Sequence, residues 1–251
     1  MKKLFFLLLT LPIFLFGQHD EQFEKATKLY NESKFEEAIE IYERILADKK
    51  HSIAIYYNLG NAHYKLNHIA PSIYYFEKAL LLNPGDKDVL NNITYARNMA
   101  IDVIEPLPPT GIAKLIERSI GRLSYNNWAI LAIINMFLFT GLFLAYYFLY
   151  KQRLKRITFI TSFLCLGLSI FSVTMAFSEY SAITNERPAI VFAEEVAVRA
   201  EPNNKSETVF TLHEGTKVQV EATFEDWKKI KLADGKIGWL PKIEIKEVKD
   251  F

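Results

Sequence analysis

Three kinds of hydrophobic pattern follow one another along this chain. At the start, MKKLFFLLLTLPIFLFGQHD sets two lysines before an apolar run that ends at Gly17. The run is short for a membrane span, and 1–17 has the layout of a secretory signal peptide; an uncleaved anchor is the other reading. From 19 to 100 apolar positions recur at helical spacing, and the pattern repeats on a shift of 34 residues. The shift carries Ala26 onto Gly60, Tyr30 onto Tyr64, Ala38 onto Ser72, Tyr42 onto Phe76 and Ile45 onto Ala79. Small residues recur where helices must approach closely, and aromatics where a neighbouring helix leaves a hole. A third copy from Lys87 supplies one capping helix. Pro106, Pro108 and Pro109 then forbid a continuing helix, which makes 101–127 a linker. Within it Ile112, Leu115, Ile116 and Ile120 predict an amphipathic helix over 112–124, suited to a membrane surface or to the flank of the repeats. Two charge-free runs follow, 128–150 and 157–177, each long enough to cross about 30 Å of hydrocarbon. Trp128 stands at one end of the first, and Tyr146, Tyr147 and Tyr150 at the other, as an interfacial belt would. From 189 to 247 the period becomes two, in VAVRA, TKVQVEA and WKKIKL, with turn signals at Glu201-Pro202-Asn203-Asn204, Glu214-Gly215 and Asp234-Gly235. Several short strands in so short a segment predict a small all-β barrel. The fold class is thus multidomain: α-helical repeats, two transmembrane helices and a small barrel.

Charge changes this picture at one place. The formal net charge of 251 residues is only +1, which gives no case for bulk nucleic-acid binding. Yet Lys151, Arg153, Lys155 and Arg156 crowd into the loop 151–156 between the two apolar runs, with no anion among them. Short loops are where the positive-inside bias acts, so this loop is expected in the cytoplasm. Both flanking regions then lie on the other side, where a signal peptide would also send the repeats. These four cations are read as topology determinants; a lipid-headgroup or nucleic-acid site is the competing reading, and six residues offer it little surface.

The second copy of the repeat, AIYYNLGNAHYKLNHIAPSIYYFEKALLLNP, resembles a tetratricopeptide repeat. The resemblance rests on the run Asn58-Leu59-Gly60-Asn61-Ala62, on Tyr64, on Phe76-Glu77-Lys78-Ala79-Leu80 and on the closing Pro84; in the first copy Lys50 replaces that proline. It implies that the first helix of each pair lines a concave binding face. Phe23 and Tyr30, then Tyr57 and Tyr64, stand seven apart, with Asn61 and Lys65 beside them and Tyr95 extending the row. Such a stripe suits an extended peptide or a partner helix, and each aromatic is equally readable as core. The carboxylate-gripping arrangement of some relatives is absent, since Phe23 and Thr27 stand where a lysine and an asparagine would be. Two repeats and a cap are short for this architecture, which points to self-association or to a partner.

The C-terminal segment resembles a bacterial SH3-like domain, on Val198-Arg199, Leu212 with Gly215, Trp227, Asp234-Gly235 and Gly238-Trp239-Leu240. Ala197 departs from the asparagine that many relatives carry. The resemblance implies a module that binds short ligands, among them cell-wall peptides. Trp227 and Trp239 could form an aromatic groove there, with at least one of them expected in the core.

Residues for chemistry do not assemble. His51, His63 and His68 invite a metal reading, but His63 takes a helix position usually given to an aromatic and His68 falls in a turn. His213 next to Glu214 has no nucleophile at a recognisable spacing. The lone cysteine, Cys165, lies in an apolar run that disfavours a thiolate. Glu194-Glu195 and Glu225-Asp226 read as solvated edges, and no phosphate-binding glycine loop occurs. No catalytic residue, metal or cofactor is expected, and the chain is not read as an enzyme.

The order of the modules resembles the BatE family of the Bacteroides aerotolerance operon. That resemblance implies a protein of the inner membrane of a Gram-negative bacterium, with repeats and SH3-like domain in the periplasm. It implies partners among other Bat proteins, some with von Willebrand A-type domains, a MoxR-type ATPase, and a role in oxygen or envelope stress tolerance. The expectation is a non-enzymatic scaffold, with a homo-oligomer open. The alternative is a peptidoglycan-binding accessory subunit of a cell-wall hydrolase or signalling system.

Overall fold

The computed structural model describes residues 21–108 and 123–249, so the expected signal peptide and most of the 112–124 helix lie outside the described residues. The chain forms two compact units, one up to Pro106 joined with Arg187 onward, the other from Leu107 to Glu186.

Among the described residues of the first unit, five helices run in sequence: α1 (Glu21–Asn31), α2 (Phe35–Ala47), α3 (Ile53–Lys65), α4 (Ile69–Leu82) and α5 (Lys87–Arg97). The starts of α3 and α5 follow from capping chemistry. Ser52 Oγ accepts from the Ile55 amide at 3.3 Å, and Asp86 Oδ1 accepts from Asp88 and Val89. The turns that end α1 and α3 each use one left-handed residue, Ser33 (φ 62°) and Asn67 (φ 61°), so the 34-residue period extends to backbone conformation. The small-residue expectation is met at Gly60. A Cβ there would stand 2.6 Å from the buried Phe76 ring, and Ser72 Oγ donates to the Gly60 carbonyl at 2.8 Å.

The same unit contains one seven-stranded antiparallel sheet: β1 (Pro188–Val191), β2 (Glu195–Arg199), β3 (Thr208–His213), β4 (Lys217–Phe224), β5 (Trp227–Lys231), β6 (Ile237–Pro241) and β7 (Ile245–Glu247). Its order is β3-β2-β6-β5-β4-β1-β7, so the expected barrel is not closed: β3 and β7 are edges. Closure would need these two to pair. β7 has only three residues, β2 meets β6 at the single register position Arg199↔Trp239, and the β3 edge is taken up differently. There the His213 amide donates to Asp102 Oδ2 at 2.7 Å, and Ile104 packs on the sheet core. The segment after the repeats thus meets the β3 edge through side chains, without strand pairing.

β1 is buried along its whole length. Ala189 and Val191 enter the sheet core, while Ile190 joins the core of α4 and α5 together with Val248. A strand buried on both faces is apolar at every position, which explains why the run Ala189-Ile190-Val191 does not alternate.

The second unit is a helical hairpin of α6 (Tyr125–Phe148) and α7 (Gln152–Asn185), both long and apolar enough to cross a membrane. The helices differ from the expected spans. Ser124 Oγ caps the Asn127 amide at 3.3 Å, so α6 begins before 128. The expected loop 151–156 is helical from Gln152, because nothing between Lys151 and Arg156 breaks a helix. α7 then continues past 177 for the same reason. The seam is built from small residues: Ser162, Cys165, Ser169 and Ser172 are buried, and Ser169 Oγ donates to the Ala132 carbonyl at 2.9 Å. Trp128 is buried, its ring 6.0 Å from Phe171, rather than facing outward as a belt residue.

Candidate functional site

The first helix of each pair turns one face to a common concavity. A cleft of about 270 Å³ is lined by Tyr30 from α1, by Tyr57, Asn61, Tyr64 and Lys65 from α3, and by Asn92 and Tyr95 from α5. Six of the seven residues expected on the concave face meet there. Phe23 does not: its ring lies 5.7 Å from Tyr42, and it borders a separate hollow with Thr27 and Lys28. Asn92 was missed by reading aromatics alone. The 34-residue shift that carries Asn61 onto Tyr95 also carries Asn58 onto Asn92, and that signal was present in the sequence.

Asn92 organises the cleft. Its amide donates to Asn61 Oδ1 at 2.8 Å and to the Tyr57 hydroxyl at 3.0 Å. Both hydrogens of that amide are thereby used, which leaves the Asn61 amide and the Tyr57 O–H as donors at the surface. Burial, then the neighbouring Tyr57 and Tyr42, push the Tyr30 phenol up, so it too stays protonated. With Lys65 exposed and no carboxylate in the lining, the cleft offers hydrogen-bond donors, one positive charge and aromatic faces. Tyr57 also touches the core, 6.2 Å from Phe76, whereas Tyr95 is 54% exposed and free of any such duty.

The histidines sit outside the cleft. His63 is buried and stacked 5.5 Å from Tyr75, and its Nδ1 lies 3.2 Å from Nδ1 of His68. Burial and then the neighbouring His68 and Lys246 lower its pKa to about 4. His51 Nδ1 bonds the Tyr56 hydroxyl at 2.6 Å. Among the described residues no three His, Cys, Asp or Glu side chains converge on a metal-sized space.

On the sheet, Trp227 and Trp239 share the outer face. Trp239 stands opposite Lys229 and Arg199, and Trp227 opposite Pro241, which makes the two indoles diagonal neighbours. Both are half-buried and neither belongs to the core, contrary to the expectation for at least one of them. The inner face is already filled by Val198, Ile230 and Leu240, and the two-residue period sends the tryptophans the other way.

The repeats and the sheet are joined by polar contacts as well as by Ile190. Asp102 accepts from His213 Nδ1 at 2.8 Å and from Thr216 Oγ1 at 2.6 Å. Burial raises its pKa, but these bonds and the His213 amide outweigh that and hold it below the usual carboxylate range. Glu77, nearly fully buried on α4, bridges Arg97 at 2.6 Å and Lys217 of β4 at 2.8 Å. Thr216 and His213 thus both bond the one carboxylate of Asp102.

Residues 53–86, which hold α3 and α4, match the family model of the tetratricopeptide repeat, and residues 194–242 match that of the bacterial SH3 domain. The second match leaves out β1 and β7, the strands that carry the sheet onto the helices. No curated protein matches the chain.

Proposed function

We propose that this chain is a non-enzymatic scaffold of the bacterial inner membrane, whose cleft holds an extended segment of a partner protein. The cleft across α1, α3 and α5 carries the reading. It presents donors to the carbonyls of an extended backbone, tyrosine faces to its side chains, and Lys65 to an acidic group. The hairpin supplies the anchor: Ala132, Ser162, Cys165, Ser169 and Ser172 point inward, and Ile133, Phe137, Ile160 and Phe177 point outward, the reverse of a water-soluble helix pair. The resemblance of the module order to the BatE family supports partners with von Willebrand A-type domains, a periplasmic setting for the repeats and sheet, and a part in oxygen or envelope stress tolerance.

The test uses the full chain in detergent against purified von Willebrand A-type partners. Tyr95→Ala and Lys65→Ala, both exposed, are expected to weaken capture about tenfold, with the helical signal unchanged; Tyr57→Ala and Tyr64→Ala are expected to weaken it further. Unchanged binding in all four variants would remove the concave-face assignment. A second reading follows from the outer tryptophans and the match to a bacterial SH3 domain: a peptidoglycan-binding accessory subunit. Retention on sacculi that is lost in Trp227→Ala and Trp239→Ala would favour it.

A further inference from the structure

The turn of the hairpin contains a pocket of about 420 Å³, lined by Tyr146, Tyr150, Gln152, Lys155, Arg156 and Phe159. Two cations, an amide and two phenols thus converge where the apolar helices end. The positive charge is uncompensated: no Asp or Glu occurs between Glu117 and Glu179, and Arg156 has no carboxylate partner among the described residues. Lys155 Nζ lies 5.3 Å over the Tyr146 ring, which packs 5.2 Å from Phe159. Those two rings make a firm wall beside the charges. Taken as a six-residue loop, the basic cluster offered too little surface for a ligand. As a helical turn it gains Tyr146 and Phe159 from the spans and becomes a concave site.

We propose that this pocket binds the phosphate of an anionic phospholipid. Arg156 offers a planar fork that matches phosphate oxygens, and Lys155 adds a second charge. Gln152 and the exposed Tyr150 hydroxyl supply neutral donors. The rings of Tyr146 and Phe159 would lie along the glycerol and the first methylenes, and the outward apolar faces of Phe148 and Ile157 continue from there for the acyl chains. Basic pockets between helices at the cytoplasmic boundary favour this headgroup chemistry. A soluble phosphate would use the same polar groups but leave the aromatic wall without a role. The proposal rests on the membrane reading of the hairpin.

The full chain is placed in nanodiscs of phosphatidylcholine with added phosphatidylglycerol, and the anionic lipid it retains after detergent exchange is counted by native mass spectrometry. The wild type is expected to retain it, and Lys155→Ala with Arg156→Ala to bind it roughly thirtyfold more weakly. The control, Lys151→Ala with Arg153→Ala, removes the same charge outside the pocket lining and is expected to keep the lipid. Equal loss in both double variants, or loss in neither, overturns the site. Displacement of the lipid from wild type and control alike by inorganic phosphate, and not by chloride at the same ionic strength, would assign the pocket to free phosphate and overturn the lipid. Release of the wild type from membranes by alkaline carbonate removes the anchor reading and this site together; retention without lipid selectivity removes the site alone.

Discussion

Gly60 shows how much one hydrogen decides in the repeats. Its missing Cβ would meet three Phe76 ring atoms inside 3 Å, and Phe76 is fully buried with no room to retreat. Gly60→Ala is therefore expected to destabilise the first unit by about 1–3 kcal/mol, read as a lower urea midpoint for loss of helical signal. The residue was legible as a small position on the 34-residue shift, but the atom it spares was not. His63 gives a pH prediction of definite sign. Its folded pKa of about 4 lies below the ordinary 6.5, so the fold favours the neutral ring. The resulting stability is complete above pH 6.5 and is lost as pH falls from there through 4, by about 3 kcal/mol at most. His63→Phe keeps the stack on Tyr75 and removes the titrating group. The melting temperature of this variant is expected to fall less between those two pH values; an unchanged fall would assign the acid sensitivity elsewhere. Asp102 and Glu247, both held low, add their own loss only below the ordinary carboxylate range.

At the scale of elements, β1 is the most informative piece. It pairs with β4 and β7 in the sheet and also sends Ile190, 0% exposed, into the core of α4 and α5. Phe192, just beyond it, meets Tyr74 edge-on at 5.6 Å. Ile190→Ala should cost about 2–5 kcal/mol, and the helical signal should drop together with the sheet. An Ile190→Ala chain whose repeats melt as in the wild type would mean that the helices hold without the strand. The period-two pattern located β2, β4 and β5 because each has one wet face. It could not say that β1 has none, since a short apolar run reads alike for any doubly buried element. The charged stretch 151–156, expected as the loop between the apolar runs, is helical from Gln152 because its residue types favour helix.

For the whole molecule, the shortness of the repeat array finds an answer within the chain. The sheet covers α4, and the shared core with Glu77, Lys217, Asp102 and His213 ties it to the helices. One unfolding transition is expected for the first unit, with far-ultraviolet helicity and tryptophan emission coinciding in the full chain; two separated transitions would show independent modules. Topology is the other prediction at this scale. Periplasm-dependent reporters placed after Asp102 and after Phe251 are expected to be active, and one inserted between Lys151 and Arg156 silent. Activity only at the inner position would turn the cleft toward the cytoplasm and rule out a cell-wall ligand.

Hydrophobic periodicity alone determined the helical repeats, the two long apolar helices and the strands with one exposed face, because each of those patterns arises from local geometry: 3.6 residues per turn, two per pleat, and a charge-free run of fixed length. The concave stripe was legible too, since a 34-residue repeat copies a face from helix to helix, and Asn92 could have been found with it. What the tertiary structure alone decided were the places where distant segments meet. These are the open sheet edge occupied by Asp102, the outward turn of both tryptophans, the departure of Phe23 from the cleft, the doubly buried β1, and the pocket that Tyr146 and Phe159 make with the basic cluster. Each depends on contacts between residues far apart in the chain, and a one-dimensional pattern records which face of an element is buried but not what buries it.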